Sequence, residues 1–199
     1  MLFLSQFFAI LASLFAVAEY TRYSYQIHKT LSSPNPVTVA LWVFEAIINV
    51  ITYFEAVKDF WQTLITITNL CLVVGIFFIA LLCKKFSKIK VTEVICIFLV
   101  VFIGIFWVID GNDQVSNALL QIVYFISFLP IAYQILHGEK EHQAAWILGI
   151  ISGVFATLTV ICNYTGEKIS LVYPIVNIIG NGLIVILIYS YRTKKAEYL

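Results

Sequence analysis

Charged residues are scarce in this sequence. Asp, Glu, Lys and Arg together make up 12% of the 199 residues, whereas 61% are hydrophobic and the mean hydropathy is +0.96. A soluble domain of this length could not cover so much apolar surface, because its own exterior has to stay largely polar. The scarcity of charge therefore excludes a soluble fold and indicates a protein that lies in a membrane.

Residues suited to catalysis or metal binding are equally sparse. The three histidines and four cysteines occur singly, and none has the spacing of a metal site. There is no Asp-rich motif and no nucleophile with a base at helical spacing. The connections between apolar segments are too short to form a catalytic domain, and the basic residues are too dispersed to form a nucleic-acid surface. The sequence thus predicts no enzyme activity, no metal, no cofactor and no nucleic-acid partner.

Long apolar runs are what the sequence does contain. About 20 apolar residues cross the hydrocarbon core of a bilayer as a helix, and seven such segments can be placed. They cover residues 2–27, 36–57, 61–83, 91–109, 115–137, 143–162 and 170–191. The sequence therefore predicts an all-α integral membrane protein with seven transmembrane helices.

Lysine and arginine gather on one side of this predicted topology. The odd-numbered connections and the C-terminal tail carry Lys29, Lys84, Lys85, Lys88, Lys90, Lys140, Arg192, Lys194 and Lys195. The even-numbered connections carry only Lys58 and Lys168. Because loops rich in Lys and Arg stay in the cytosol, we expect the N-terminus outside and the C-terminus in the cytosol, with the cell membrane as the location.

The first three segments repeat in the last three. The triplet Tyr-Gln-Ile at 25–27 returns at 133–135, and Asn69 returns as Asn177, both at an offset of 108 residues. The fourth segment has no counterpart. The predicted organisation is a first three-helix repeat at 1–83, a linker helix at 84–112, and a second three-helix repeat with a basic cytosolic tail at 113–199.

Two odd-numbered repeats become parallel when one extra crossing separates them, and parallel repeats are an established transporter design with the site at the repeat interface. The 3+1+3 plan, the Tyr-Gln-Ile ends and the repeated Asn resemble the SWEET and PQ-loop superfamily over essentially the whole chain. The resemblance implies a transporter for a sugar-like or other small polar or cationic solute, working by alternating access between two triple-helix bundles. The alternative is a membrane receptor or adaptor on the same fold.

The resemblance also implies a binding site. In SWEET-type carriers an Asn of each triplet faces the central cavity, and Asn69 and Asn177 match those positions by order and register. An amide both donates and accepts hydrogen bonds, which suits a polar solute; the alternative is that each Asn joins helices within its own bundle. Tyr173 and Asn181 share the helix face of Asn177. Tyr53 stands where those carriers place a Trp, and is expected to stack against the solute.

The repeated tryptophans lie elsewhere in the segments. Trp42 and Trp146 open the second and sixth segments at an offset of 104 residues. Both are too near the cytosolic ends to serve as a central clamp, and we interpret them as interfacial anchors.

Charged groups inside apolar segments are costly unless they are paired or face an internal cavity. Glu19 and Arg22, three residues apart, share one face of the first helix, while Glu45 and Asn49 share one face of the second. Three interpretations remain open for the two glutamates: a cluster neutralised by Arg22, a site for a coupling proton, or a site that selects a cationic solute.

The matching positions of the second repeat are neutral. Gly149 and Gly153 form a small-xxx-small pattern that predicts a close helix contact, and Pro130, Pro174 and Gly180 are expected to allow bending or close packing. The expected partners are the lipid bilayer and a small-molecule solute, and the oligomeric state is left open.

Overall fold

The structure is a computed structural model that describes residues 2–32, 34, 36–83, 91–164 and 166–197. Within these ranges, the side chains of 36, 37, 92, 93, 96 and 192–197 are not described. The predicted orientation depends partly on basic residues that the structure does not fully describe. Lys84, Lys85, Lys88 and Lys90 lie outside the described residues, and the side chains of Arg192, Lys194 and Lys195 are not described.

Regular structure in the described ranges is entirely helical, which confirms the prediction of an all-α chain. The helices are α1 (Leu2–His28), α2 (Pro36–Val57), α3 (Phe60–Cys83), α4 (Val91–Asp110), α5 (Asp113–Ile126), α6 (Leu129–Leu136), α7 (Gln143–Cys162) and α8 (Ile169–Glu197).

Among the described residues, six stretches of helix are long and apolar enough to cross a membrane. They are α1, α3 and α7, Thr38–Val57 of α2, Ile169–Tyr191 of α8, and Asp113–Leu136, which α5 and α6 form together. In α4 the segment Ile97–Asp110 is apolar but shorter. Phe98 and Val108 of α4 are 71% and 77% exposed, and large apolar side chains presented in this way suit a lipid environment better than water.

The fifth predicted segment, 115–137, corresponds to the apolar stretch Asp113–Leu136, which is interrupted once. The segment consists of α5 and α6, separated at Ser127 and Phe128. Pro130 stands in the first turn of α6, and since proline has no N–H, the carbonyl of Ile126 cannot form its usual helical hydrogen bond. The break brings Phe128 to the bundle centre, where it is 1% exposed.

Helix contacts occur both within and across the two halves of the chain, α1–α3 and α5–α8. In the first half, α3 contacts both α1 and α2; in the second half, α8 contacts both α5 and α7. Across the halves, α1 runs along α7 and α2 runs along α5, while α4 packs on α2 and α5. The main apolar core lies between the two halves and takes side chains from α1, α2, α3, α6, α7 and α8.

The bundle has two ends that recur below. The His142 end holds the loops at 29–32 and 137–142, which contact each other through Ser32 and Glu141. The Asp59 end holds the loops at 58–59 and 163–168, which contact each other through Asp59 and Asn163.

Candidate solute-binding cavity

A cavity lies at the centre of the bundle, between the first three helices and the last ones. Side chains from α1, α2, α3, α5, α7 and α8, and from the turn before α6, line it. It leaves about 40 Å³ for the centres of water molecules. Since one water needs roughly 10–15 Å³ of such space, the cavity has room for about three waters.

Four aromatic side chains, called the aromatic floor, close the cavity at the His142 end. Trp42 of α2 and Trp146 of α7 meet edge to face, with ring centroids 6.3 Å apart. Phe128 contacts both indoles at 6.1 and 6.2 Å, and Tyr23 packs on Trp146 at 5.7 Å. The floor therefore joins the two halves of the bundle through rings contributed by both.

The position of the two tryptophans corrects the sequence interpretation. Trp42 and Trp146 are 9% and 4% exposed, line the cavity and donate hydrogen bonds to Ser127 Oγ at 2.7 Å and Glu141 Oε1 at 3.0 Å. They are therefore not interfacial anchors. Their recurrence at equivalent points of the repeat was the available signal for a paired role.

A second group of rings lies toward the Asp59 end. Tyr173 of α8 stacks on Tyr124 of α5 at 5.9 Å between centroids, and Tyr53 of α2 meets it edge to face at 6.1 Å. Asn69 Nδ2 donates a hydrogen bond to the Tyr173 hydroxyl. Asn69, Tyr124 and Tyr173 line the cavity, whereas Tyr53 lies behind them and donates to the carbonyl of Ser170 at 2.7 Å.

The two asparagines of α8 have different positions. Asn181 lines the cavity, and its Nδ2 donates to the backbone carbonyl of Asn177 at 2.9 Å and to the Asn177 side-chain oxygen. Asn177 is buried, but it is not one of the lining residues. The asparagine of α8 that lines the cavity together with Asn69 is thus Asn181, one helical turn beyond the position expected from the repeat.

Asn49 belongs to a buried amide network that the sequence analysis did not foresee. Its Oδ1 accepts hydrogen bonds from Asn117 Nδ2 and Gln121 Nε2 of α5, both at 2.9 Å. Asn117 Nδ2 also donates to Thr52 Oγ1 at 2.9 Å. Asn117 and Gln121 stand four residues apart on one face of α5, which was the signal in the sequence. The network joins α2 to α5, so Asn49 is held in place at the edge of the cavity.

Two carboxylates and three unpartnered oxygens face the cavity. Glu19 and Glu45 line it. Among the described side chains that line the cavity, Glu45 Oε1, Asn69 Oδ1 and Asn181 Oδ1 are buried without a hydrogen-bond partner. Buried polar atoms are normally satisfied, so three such acceptors at one cavity indicate that something else satisfies them.

Arg22 stands apart from these carboxylates. Its side chain is exposed, and its guanidinium carbon lies 5.2 Å from the centroid of the Tyr25 ring. It does not line the cavity. The structure thus brings Glu19 and Glu45 together and leaves the third member of the expected cluster at the surface.

Glycines permit the close contacts around the cavity. A methyl group at Gly149 would lie 2.6 Å from both Glu19 Oε1 and Asn181 Oδ1. One at Gly153 would lie 2.6 Å from Ile178 Cγ1. A methyl group at Gly180 would overlap the ring of Phe128. A side chain at any of these positions would therefore force its neighbours to shift, and Gly149 in particular makes space for the oxygens of the site.

Hydrogen bonds join the two halves at the His142 end. Glu141 Oε1 accepts from Ser32 Oγ at 2.8 Å, from Trp146 Nε1 at 3.0 Å and from the His142 backbone N–H at 3.4 Å. Burial raises the pKa of Glu141 from 4.5 to about 7, although the three hydrogen bonds act in the opposite direction. Tyr23 of α1 also interacts electrostatically with this carboxylate.

A corresponding set of hydrogen bonds joins the halves at the Asp59 end. Asn163 Nδ2 donates to Asp59 Oδ2 at 2.8 Å, and Gln62 Nε2 donates to the carbonyl of Asn163 at 2.6 Å. Together with the hydrogen bond from Tyr53 to Ser170, these contacts connect α2, α3 and the loop between them with the end of α7 and the start of α8. The cavity is therefore flanked at both ends by contacts between the halves.

A comparison of the chain with models of known protein families, with curated proteins and with solved structures finds no match. Within the described residues, no group of three or more His, Cys, Asp or Glu side chains is placed to hold a metal ion.

Proposed function

We propose that the chain is a membrane carrier that moves a small solute through the central cavity by alternating access. The observation that carries this proposal is the cavity itself: it lies between the two halves, holds unpartnered polar atoms, and is flanked by cross-half contacts at both ends. A carrier of this kind keeps its site near the repeat interface and opens one side at a time.

The helix contacts support a SWEET-like 3+1+3 arrangement. In the first half α3 packs on α1 and α2, and in the second half α8 packs on α5 and α7. Across the halves, α1 runs along α7 and α5 runs along α2. A twofold axis along the bundle would generate this pattern from two parallel repeats. In this proposal α4 is the linker helix, and rocking of one half against the other opens each end in turn.

The two ends have distinct roles in this cycle. The aromatic floor and the hydrogen bonds of Glu141 close the His142 end, which the distribution of Lys and Arg assigns to the cytosol. The hydrogen bonds of Tyr53 and Asn163 close the Asp59 end. Opening either end breaks a few hydrogen bonds, each contributing about 0.5–1.5 kcal/mol net, so that the two open states remain within thermal reach of the closed one.

A receptor or adaptor on the same fold is the alternative, and it would not need the cavity to open to both sides. Access can be measured without knowing the solute. Thr66 of α3 is 1% exposed and lines the cavity. In a chain whose native cysteines are replaced by alanine, Thr66→Cys should react with a membrane-impermeant maleimide added to either face of sealed proteoliposomes.

Asp110→Cys provides the matched control, because Asp110 is exposed at the Asp59 end of α4. It should react from one face only and should fix the orientation of the protein. Reaction of Thr66→Cys from a single face, or from neither, would exclude alternating access and would favour the receptor or adaptor.

A further inference from the structure

We propose that the cavity binds the N–H-bearing head group of a small organic cation, a primary ammonium or a guanidinium. This inference rests on the proposed carrier function and names its substrate class. It follows from the meeting of two carboxylates, three unpartnered acceptor oxygens and a set of aromatic rings in one enclosed space.

The amide groups of Asn69 and Asn181 favour a ligand that donates hydrogen bonds. Asn69 Nδ2 is directed to Tyr173, Asn181 Nδ2 to Asn177, and Thr66 Oγ1 to the carbonyl of Thr63. These donors are therefore used within the protein, while Asn69 Oδ1 and Asn181 Oδ1 are left over. A buried acceptor without a donor is costly, and a ligand with several N–H groups would satisfy both amides together.

The charge of the cavity favours a cation. Glu19 and Glu45 contribute carboxyl groups, Glu45 being 5% exposed with Oε1 unpartnered. Among the described residues that line the cavity, none is Lys, Arg or His, and Arg22 lies outside at the surface. A buried carboxylate without a counter-charge is unfavourable, and a cationic ligand supplies that charge. A neutral sugar supplies no such charge, and an anion supplies one of the wrong sign.

The walls suit the same ligand. Seven aromatic side chains line the cavity, from the aromatic floor at one end to Tyr124 and Tyr173 at the other. Aromatic faces attract Lys-like and Arg-like cations, most strongly where water is excluded. Space for about three waters accommodates a head group of about three or four heavy atoms, the size of an alkylammonium or guanidinium terminus, whereas a sugar ring with its hydroxyls exceeds it.

Binding to the purified protein in detergent tests the proposal. The probes are butylammonium and agmatine, with 1-butanol as the neutral analogue, butyltrimethylammonium as the analogue without N–H groups, and glucose as the sugar. A ligand that binds only the folded state raises the unfolding midpoint in a saturable way. We expect saturable shifts with butylammonium and agmatine and none with the other three. Equal shifts with the quaternary or neutral analogue, or a shift with glucose alone, would overturn the proposal.

Two variants locate the site. Glu45→Gln keeps the size of the side chain and should weaken agmatine binding about tenfold or more, as expected for loss of a charge-assisted hydrogen bond. Glu55→Gln is the matched control on the same helix, because Glu55 is exposed and does not line this cavity; its affinity should stay at the wild-type value. Asn69→Asp, which adds a negative charge at the cavity, should tighten binding. Unchanged affinity in both Glu45→Gln and Asn69→Asp would place the cation elsewhere.

The failure of this inference can be distinguished from failure of the carrier function. If Thr66→Cys reacts from both faces and the cations do not bind, the proposed carrier function is supported and the proposed substrate class is wrong. If the cations bind and Thr66→Cys reacts from one face only, the cavity is the binding site of a receptor.

Discussion

Replacing Tyr53 with phenylalanine removes a single hydroxyl group from a contact that a proline makes necessary. Pro174 has no N–H, so the carbonyl of Ser170, four residues earlier in α8, lacks its helical partner. The Tyr53 hydroxyl donates to that carbonyl at 2.7 Å, and Tyr53 and Ser170 are 1% and 0% exposed. A hydroxyl from the first half of the bundle thus takes the place of a helical hydrogen bond missing from the second half.

The expected cost follows from what the substitution leaves behind. Tyr53→Phe leaves the buried Ser170 carbonyl without a donor, which costs about 1–3 kcal/mol. For a chain of this length each kcal/mol moves the unfolding midpoint by about 2–4 °C, so we expect a decrease of about 2–12 °C in detergent, followed by circular dichroism. Tyr164→Phe is the matched control: its hydroxyl donates to the Gly166 carbonyl at 3.1 Å on the surface, and its loss should change stability by less than about 0.5 kcal/mol.

A double-mutant cycle isolates the role of the proline. In Pro174→Ala the new backbone N–H can donate to the Ser170 carbonyl, so the hydroxyl of Tyr53 is no longer its only donor. Tyr53→Phe should then cost less than in the wild type, with a coupling energy of about 1–2 kcal/mol. Costs that add to within about 0.5 kcal/mol would refute the reasoning, because Tyr53 would then stabilise the fold through packing alone.

Two further substitutions give results of defined sign. The carboxyl of Glu141 has a pKa raised from 4.5 to about 7, so the folded state binds its proton more tightly than the unfolded state. The free energy of unfolding should therefore fall by at most about 3 kcal/mol as the pH rises from about 4.5 to about 7. Glu141→Gln cannot titrate, so its unfolding midpoints measured across that range should lose this pH dependence. A pH dependence that persists in the variant would show that another group causes it. Gly153→Ala places a methyl group 2.6 Å from Ile178 Cγ1 and should destabilise the folded protein by about 1–2 kcal/mol net. Gly182→Ala is its control: nothing lies within 4 Å of the added methyl group, so this substitution should stabilise the fold by up to about 1 kcal/mol. Equal effects of the two substitutions in chemical unfolding would contradict the close contact at Gly153.

The positions of the helices follow from the sequence because length and apolarity determine them. A run of about 20 apolar residues has few alternatives to a helix when its backbone must satisfy its own hydrogen bonds. The predicted segments 36–57 and 143–162 therefore coincide with the bounds of α2 and α7. The break at Ser127 differs because it depends on one proline, and a proline in an apolar segment can either kink a helix or divide it.

The inward face of each helix is harder to predict. In a soluble protein the apolar stripe marks the buried side, but a helix that is apolar all round carries no such mark. Polar residues give part of the answer, since they avoid lipid, and the structure places Glu19, Glu45 and Asn69 around one cavity. Trp42 and Trp146 gave no comparable signal, because an indole suits a membrane interface as well as an aromatic cluster.

The two halves of the cavity have diverged in a way that makes each depend on the other. Glu45 of the first repeat corresponds to Gly149 of the second, at the same offset of 104 residues as the two tryptophans. A methyl group at 149 would lie 2.6 Å from Glu19 Oε1, so a side chain at this point would displace the carboxyl group of the opposite half. The first repeat thus supplies charge and the second supplies the space that this charge occupies. A carboxyl group at both 45 and 149 would crowd Glu19, and glycine at both would remove the Glu45 carboxyl on which the proposed preference for a cation depends.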